Sequence, residues 1–143
     1  MILQNEDQYI EFTIKDYEFP DIISAHDEFN YDANWLICEV KYRDKKDTVT
    51  YQDPCLLTYE LVEVSDALAQ IIIGYRDEYT SNFTEPYLQF QIVRTSGKIG
   101  MALTFTYDNA DWKDVTLTTI LSNEEAVAKL KALQHLVRRF PKR

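Results

Sequence analysis

The sequence predicts an α+β fold: mainly an antiparallel sheet of about six strands with two helices, in the order βββ-α-βββ-α. Three observations predict it. Apolar and polar residues alternate over several short stretches, the pattern of strands with one buried face. Two other stretches repeat their apolar residues at three- and four-residue steps, which is the helical period. The 143-residue chain has only 3 Gly and 4 Pro, and no repeat or linker-like stretch divides it, so residues 1–143 read as a single domain.

The elements follow in order. Ile10, Phe12 and Ile14 face one way while Glu11, Thr13 and Lys15 face the other. Leu36, Cys38, Val40 and Tyr42 repeat that pattern against Ile37, Glu39 and Lys41. A short partner strand is placed at residues 48–52, after the charged turn Asp44-Lys45-Lys46-Asp47. Leu57, Leu61, Val64, Leu68, Ile71 and Ile72 then recur at helical steps. Thr58 is placed as the cap of this helix, and Gly74 stands just past its end, where glycine accepts a left-handed backbone. Leu88, Phe90 and Ile92 alternate with Tyr87, Gln89 and Gln91, and Ser96-Gly97 supplies a hairpin turn. Ile99, Met101, Leu103, Phe105 and Tyr107 form the longest alternating run, and the Thr-rich residues 115–121 close the strands. The last helix opens on the capping box Ser122-Asn123-Glu124-Glu125, in which hydroxyl and carboxylate each accept the other residue's backbone N–H. Its apolar stripe is Val127, Leu130, Leu133, Val137 and Phe140.

Charge narrows the function. The chain carries 24 acidic and 15 basic residues, a net charge of −9, which argues against direct binding to nucleic acid or an anionic membrane because the phosphate field repels it. The excess is not evenly spread. Residues 1–36 hold nine acids (Glu6, Asp7, Glu11, Asp16, Glu18, Asp21, Asp27, Glu28, Asp32) and one base, Lys15, whereas residues 129–143 hold six bases and no acid. Such asymmetry marks an electrostatic interaction surface.

Cys38 and Cys55 sit in apolar surroundings without CxxC spacing, which reads as a pair of reduced, buried thiols. The first residues have no basic and apolar leader pattern and no stretch is long enough to span a membrane. A cytoplasmic protein is expected.

Catalytic chemistry finds little support. The two histidines, His26 and His135, lie outside any nucleophile–base or metal-binding spacing. A metal site from His26, Asp27, Glu28 and Asp32 is chemically conceivable but lacks such spacing. Asp108, Asp111 and Asp114 lack the order and central glycine of a calcium loop and read as a polar strand connection. No enzyme activity, metal or cofactor is expected.

Four segments carry a resemblance. They are Tyr17-Glu18-Phe19-Pro20, Tyr31-Asp32-Ala33-Asn34-Trp35-Leu36, Asp53-Pro54-Cys55-Leu56-Leu57-Thr58-Tyr59-Glu60-Leu61, and Phe83-Thr84-Glu85-Pro86-Tyr87-Leu88-Gln89-Phe90. In this order they resemble the WapI-type bacterial immunity proteins, similar to those that protect a cell against its own WapA contact-dependent tRNA nuclease toxin. The resemblance covers residues 17–90, and Tyr59 departs from it where the family commonly has Trp. It implies a non-catalytic protein whose partner is the toxin domain of a cognate toxin.

Read with the charge, the resemblance predicts a carboxylate surface that covers a basic, RNA-gripping cleft. Asp21, Asp27, Glu28 and Asp32 are the expected charged contacts, with Phe29, Tyr31 and Tyr17 as aromatic anchors. Two other readings stay open on the residues alone: a small binding or scaffold protein with another protein partner, and a small metal-dependent enzyme using residues 26–32.

Overall fold

The computed structural model describes residues 1–22, 30–107 and 113–143. Its elements run β1 (Ile2–Gln4), β2 (Tyr9–Tyr17), α1 (Tyr31–Asn34), β3 (Trp35–Arg43), β4 (Thr48–Leu57), α2 (Thr58–Ile72), β5 (Glu78–Thr80), β6 (Leu88–Thr95), β7 (Lys98–Tyr107), β8 (Lys113–Leu121) and α3 (Asn123–Arg139). The α+β antiparallel class holds. The strands divide into two four-stranded antiparallel sheets, β1-β2-β3-β4 and β5-β6-β7-β8. The additions to the expected order are the three-residue strands β1 and β5 and the single-turn helix α1. Each is too short to show a period.

The sheets share one core. The alternating residues Ile10, Phe12, Ile14, Leu36, Cys38 and Val40 of the first sheet, and Leu88, Phe90, Ile92, Met101, Leu103 and Phe105 of the second, are all buried within it. Ring pairs join the two layers: Phe12 meets Phe90 edge-on at 5.6 Å, and Tyr42 and Tyr51 both pack on Phe105. Helices α2 and α3 pack on each other, α2 reaching β4, β5 and β6 and α3 reaching β7 and β8.

Local chemistry explains the boundaries. Ser96 and Gly97 take positive φ values of 51° and 76° between the paired Thr95 and Lys98, the two-residue turn that matches strand twist. Pro54 lies in β4, which has one neighbour, beside the bulge that leaves Cys55 unpaired between Leu56 and Pro54; proline lacks the ladder donor and is tolerated there. Ser122 Oγ accepts the Glu125 N–H while Glu125 Oε2 accepts the Ser122 N–H at 2.7 Å, so the expected capping box forms. The stripe of α3 is rotated relative to expectation: Ala126, Leu133, Leu136 and Phe140 are buried, while Val127 is exposed.

Helix α2 ends in paired bonds from Gly74 N–H to the Ile71 carbonyl and from Tyr75 N–H to the Gln70 carbonyl, a Schellman motif with Gly74 at φ +76°. Its start differs by one residue from expectation. Leu57 is the cap and Thr58 the first helical residue, because the Thr58 hydroxyl is directed to Asn34 rather than to its own helix. Both cysteines are free and fully buried, and burial raises the Cys38 thiol well above its ordinary pKa. Among the described residues, no helix is long and apolar enough to cross a membrane.

Candidate functional site

The four motif segments meet at the amino end of α2. Glu18 N–H donates to the Trp35 carbonyl at 2.9 Å, tying the first segment to the second. Thr58 Oγ1 donates to Asn34 Oδ1 at 2.8 Å, tying the second to the third. Glu60 binds the third to the fourth: its Oε1 accepts the Thr84 N–H at 2.6 Å and the Thr84 hydroxyl at 2.9 Å, while Oε2 accepts the Leu57 N–H at 2.8 Å. Glu60 is buried, and a carboxylate at a helix N-terminus is further favoured by the helix dipole. The Tyr59 hydroxyl lies 3.2 Å from Thr84 Oγ1. That oxygen already donates to Glu60, so Tyr59 is the donor.

Asn34 is the hub of this junction. Fully buried, it donates through Nδ2 to the carbonyls of Asn30 and Arg143, and its Oδ1 accepts from Thr58 and from the Arg143 N–H. All four hydrogen-bonding positions of the amide are used. The long-range bonds of Asn34 carry no local signal in the sequence. The Glu60 role has one, a carboxylate at the third position of a helix.

Above the junction lies an acidic surface. The carboxyl of Glu18 is raised from its ordinary range by burial, then by the nearby charges of Asp32 and Asp53. The three acids therefore share one neighbourhood. Asp21 and Asp32 are exposed, and Phe19 and Tyr31 expose 41% and 53% of their surface beside them in the chain. Among the described residues Glu18, Asp21, Asp32 and Asp53 form no ion pair, whereas Asp7 pairs with Lys45, Glu11 with Lys41, and Glu39 with both Lys15 and Lys41. Of the nine acids counted near the start of the chain, Asp7 and Glu11 are thus paired with bases, and Glu18, Asp21 and Asp32 stay unpaired among the described residues.

Of the expected contacts, Asp21, Tyr31 and Asp32 lie on this surface. Asp27, Glu28 and Phe29 lie outside the described residues, as do His26, Asp108 and Asp111. Tyr17 is engaged within the protein instead. Phe140 packs on it edge-on at 5.6 Å, the Arg143 guanidinium sits 4.4 Å from its ring centre, and its hydroxyl donates to the Pro141 carbonyl. The reason is topological: β2 passes beside residues 140–143, a proximity the sequence does not reveal.

At the far end of the first sheet, open polar grooves of about 280 and 630 Å³ lie between the β1–β2 and β3–β4 connections. Asn5, Asp7, Gln8, Asp44 and Lys45 line both. Asn5 and Gln8 are committed to the Thr118 and Thr116 carbonyls of β8, so these side chains join the two sheets. Among the described residues no group of three or more His, Cys, Asp or Glu side chains is placed to hold a metal ion.

Comparison with known proteins agrees with this architecture. In fold, the chain is similar to the crystal structure of WHY3 from Arabidopsis thaliana, with a TM-score of 0.51 over 98% of this chain and 86% of that one. Sequence identity is 6%, so the likeness is one of fold alone. The search of curated proteins finds no match. The family model described as "Immunity protein WapI-like family" matches residues 1–141, which includes all four motif segments and helix α3 beyond them. The chain belongs to the WapI-like immunity protein family.

Proposed function

We propose that the protein neutralises a cognate toxin domain, a tRNA nuclease, by covering its basic substrate-binding surface. The observation that carries this reading is the neighbouring carboxylates Glu18 and Asp32, unpaired among the described residues, with Phe19, Asp21 and Tyr31 exposed beside them in the chain. A nuclease grips RNA through cationic groups arranged for phosphates. Carboxylates held close together against their mutual repulsion offer those groups a substitute, and exposed aromatic rings supply contact area that survives screening by salt. Asp27, Glu28 and Phe29 belong to the same connection in sequence and join the contact set in this reading. The protein then acts stoichiometrically as an inhibitor, without catalysis, as one domain over residues 1–143, in the cytoplasm where tRNA is attacked.

The test is the association rate with a catalytically inactive toxin domain at several salt concentrations. Asp21→Lys/Asp32→Lys and Asp27→Lys/Glu28→Lys are each expected to slow association about 10-fold at low salt and to flatten the salt dependence. Wild-type rates and wild-type salt dependence in both double variants would place the interface elsewhere.

A further inference from the structure

The Phe19-Pro20-Asp21 turn follows the end of β2 and, among the described residues, has one backbone bond of its own, from Ile22 N–H to the Phe19 carbonyl at 3.2 Å. An exposed turn with so little internal bonding loses conformational freedom when a partner orders it, and that loss weakens binding. Here a residue distant in sequence supplies the missing bonds. The Arg143 guanidinium donates from Nη1 to the Phe19 carbonyl at 3.4 Å and from Nη2 to the Pro20 carbonyl, while lying over the Tyr17 ring.

Arg143 is itself held. Its N–H and C=O both bond to the buried Asn34 amide at 3.0 Å, and Asn34 is fixed from the other side by Thr58 of α2. The result is a continuous chain of bonds from the buried start of α2 to the exposed turn. The choice of acceptors matters as much as the chain. A cation in an acidic neighbourhood has carboxylates to pair with, yet this guanidinium bonds carbonyls, and Glu18, Asp21 and Asp32 form no ion pair among the described residues. A lysine ammonium has no planar fork to lie over Tyr17 while reaching two carbonyls.

We propose that Asn34 and Arg143 are positioning residues that hold the Phe19-Pro20-Asp21 turn in the conformation it presents to the toxin. This rests on the acidic surface being the interface, as proposed above. It makes a prediction opposite in sign to simple electrostatics. Removing the Arg143 charge makes the surface more negative, which by itself speeds binding to a cationic partner; loss of the latch weakens binding.

The experiment compares Arg143→Ala, Arg143→Lys and the exposed control Arg138→Ala in two measurements. Hydrogen exchange of residues 17–22 is followed on the protein alone, and affinity is measured for the inactive toxin domain. Both Arg143 variants are expected to speed exchange in residues 17–22 about 10-fold, with β3 and α2 unchanged, and to bind about 10-fold more weakly. Arg138→Ala is expected to do neither. Unchanged exchange in both Arg143 variants overturns the latch, whatever the binding result. Faster exchange with unchanged or tighter binding overturns the positioning role. The interface reading fails separately, if Asp21→Lys binds at the wild-type rate, while the exchange data still decide the latch.

Discussion

Glu60 and Thr84 are joined through one carboxylate oxygen, which accepts both the backbone N–H and the hydroxyl of Thr84 at 2.6 and 2.9 Å. This bond fastens the β5–β6 connection to the first turn of α2, and the other Glu60 oxygen accepts the Leu57 N–H there. Glu60→Ala strands the Leu57 donor in a buried site and leaves the two Thr84 donors partly buried without their acceptor. At about 1–3 kcal/mol for each unsatisfied group, with the groups not fully additive, an overall loss of about 2–5 kcal/mol is expected in urea unfolding. Glu60→Gln keeps one acceptor oxygen and is expected to lose less. Equal stability of wild type and Glu60→Ala would show that the bonds are replaced by water.

Asn34→Asp tests the hub with almost no change in shape. The two Nδ2 donors vanish, and the new carboxylate faces the Asn30 and Arg143 carbonyls they served. Burial and those carbonyls oppose the charged form, so the folded-state pKa of the introduced acid is raised above its unfolded value. The variant is therefore expected to be about 2–4 kcal/mol less stable at neutral pH. It should recover as pH falls through that raised pKa, since the folded state then binds the proton more tightly. Denaturation midpoints across pH check this, and a loss independent of pH would contradict it.

Glu18 gives a proton signature for binding. Its carboxyl is raised from the ordinary 4.5 by burial and by Asp32 and Asp53. For a raised carboxyl, the folded state holds the proton more tightly, so ionisation of Glu18 works against folding as pH rises through its folded pKa. Glu18→Gln is thus expected to match wild-type stability below the carboxylate range and to exceed it slightly above. A cationic partner reverses the shift, so complex formation just above pH 4.5 should release protons. Calorimetry in two buffers of different ionisation enthalpy measures that release, which Glu18→Gln should diminish.

At the other end of α2, Gly74 and Arg94 are coupled. Arg94 Nη1 donates to the Ile71 and Ile72 carbonyls at 3.0 and 3.2 Å, closing the helix from outside. A Cβ added at Gly74 would lie 2.8 Å from that nitrogen, at a φ of +76°. Gly74→Ala therefore combines left-handed strain of about 1–2 kcal/mol with displacement of the guanidinium. In a double-mutant cycle the pair Gly74→Ala/Arg94→Ala should lose less than the sum of the single losses. Strict additivity would show that Arg94 moves aside freely.

Much of the fold was legible because strand and helix periods are local. The alternation at Ile10, Phe12 and Ile14, or at Ile99, Met101 and Leu103, identifies a buried face without reference to the rest of the chain, as does the Ser122–Glu125 capping box. Three-residue strands such as Ile2–Gln4 and Glu78–Thr80 offer no such period and exist because longer strands pair with them. Alternation also leaves unstated what a buried face packs against, so the division into two sheets could not be read from it.

Local pattern set the strand faces and the acidic balance near the start of the chain, and four ordered segments pointed to the family. Closure of the chain pairs Asp7 with Lys45 and Glu11 with Lys41 and leaves Glu18 and Asp32 together above the start of α2. It also turned Tyr17 from a candidate contact into the seat of Arg143 and made Asn34 a hub. The reason is range: periodicity and capping act over a few residues, whereas charge pairing and buried amide bonds join groups that only the closed chain brings within reach.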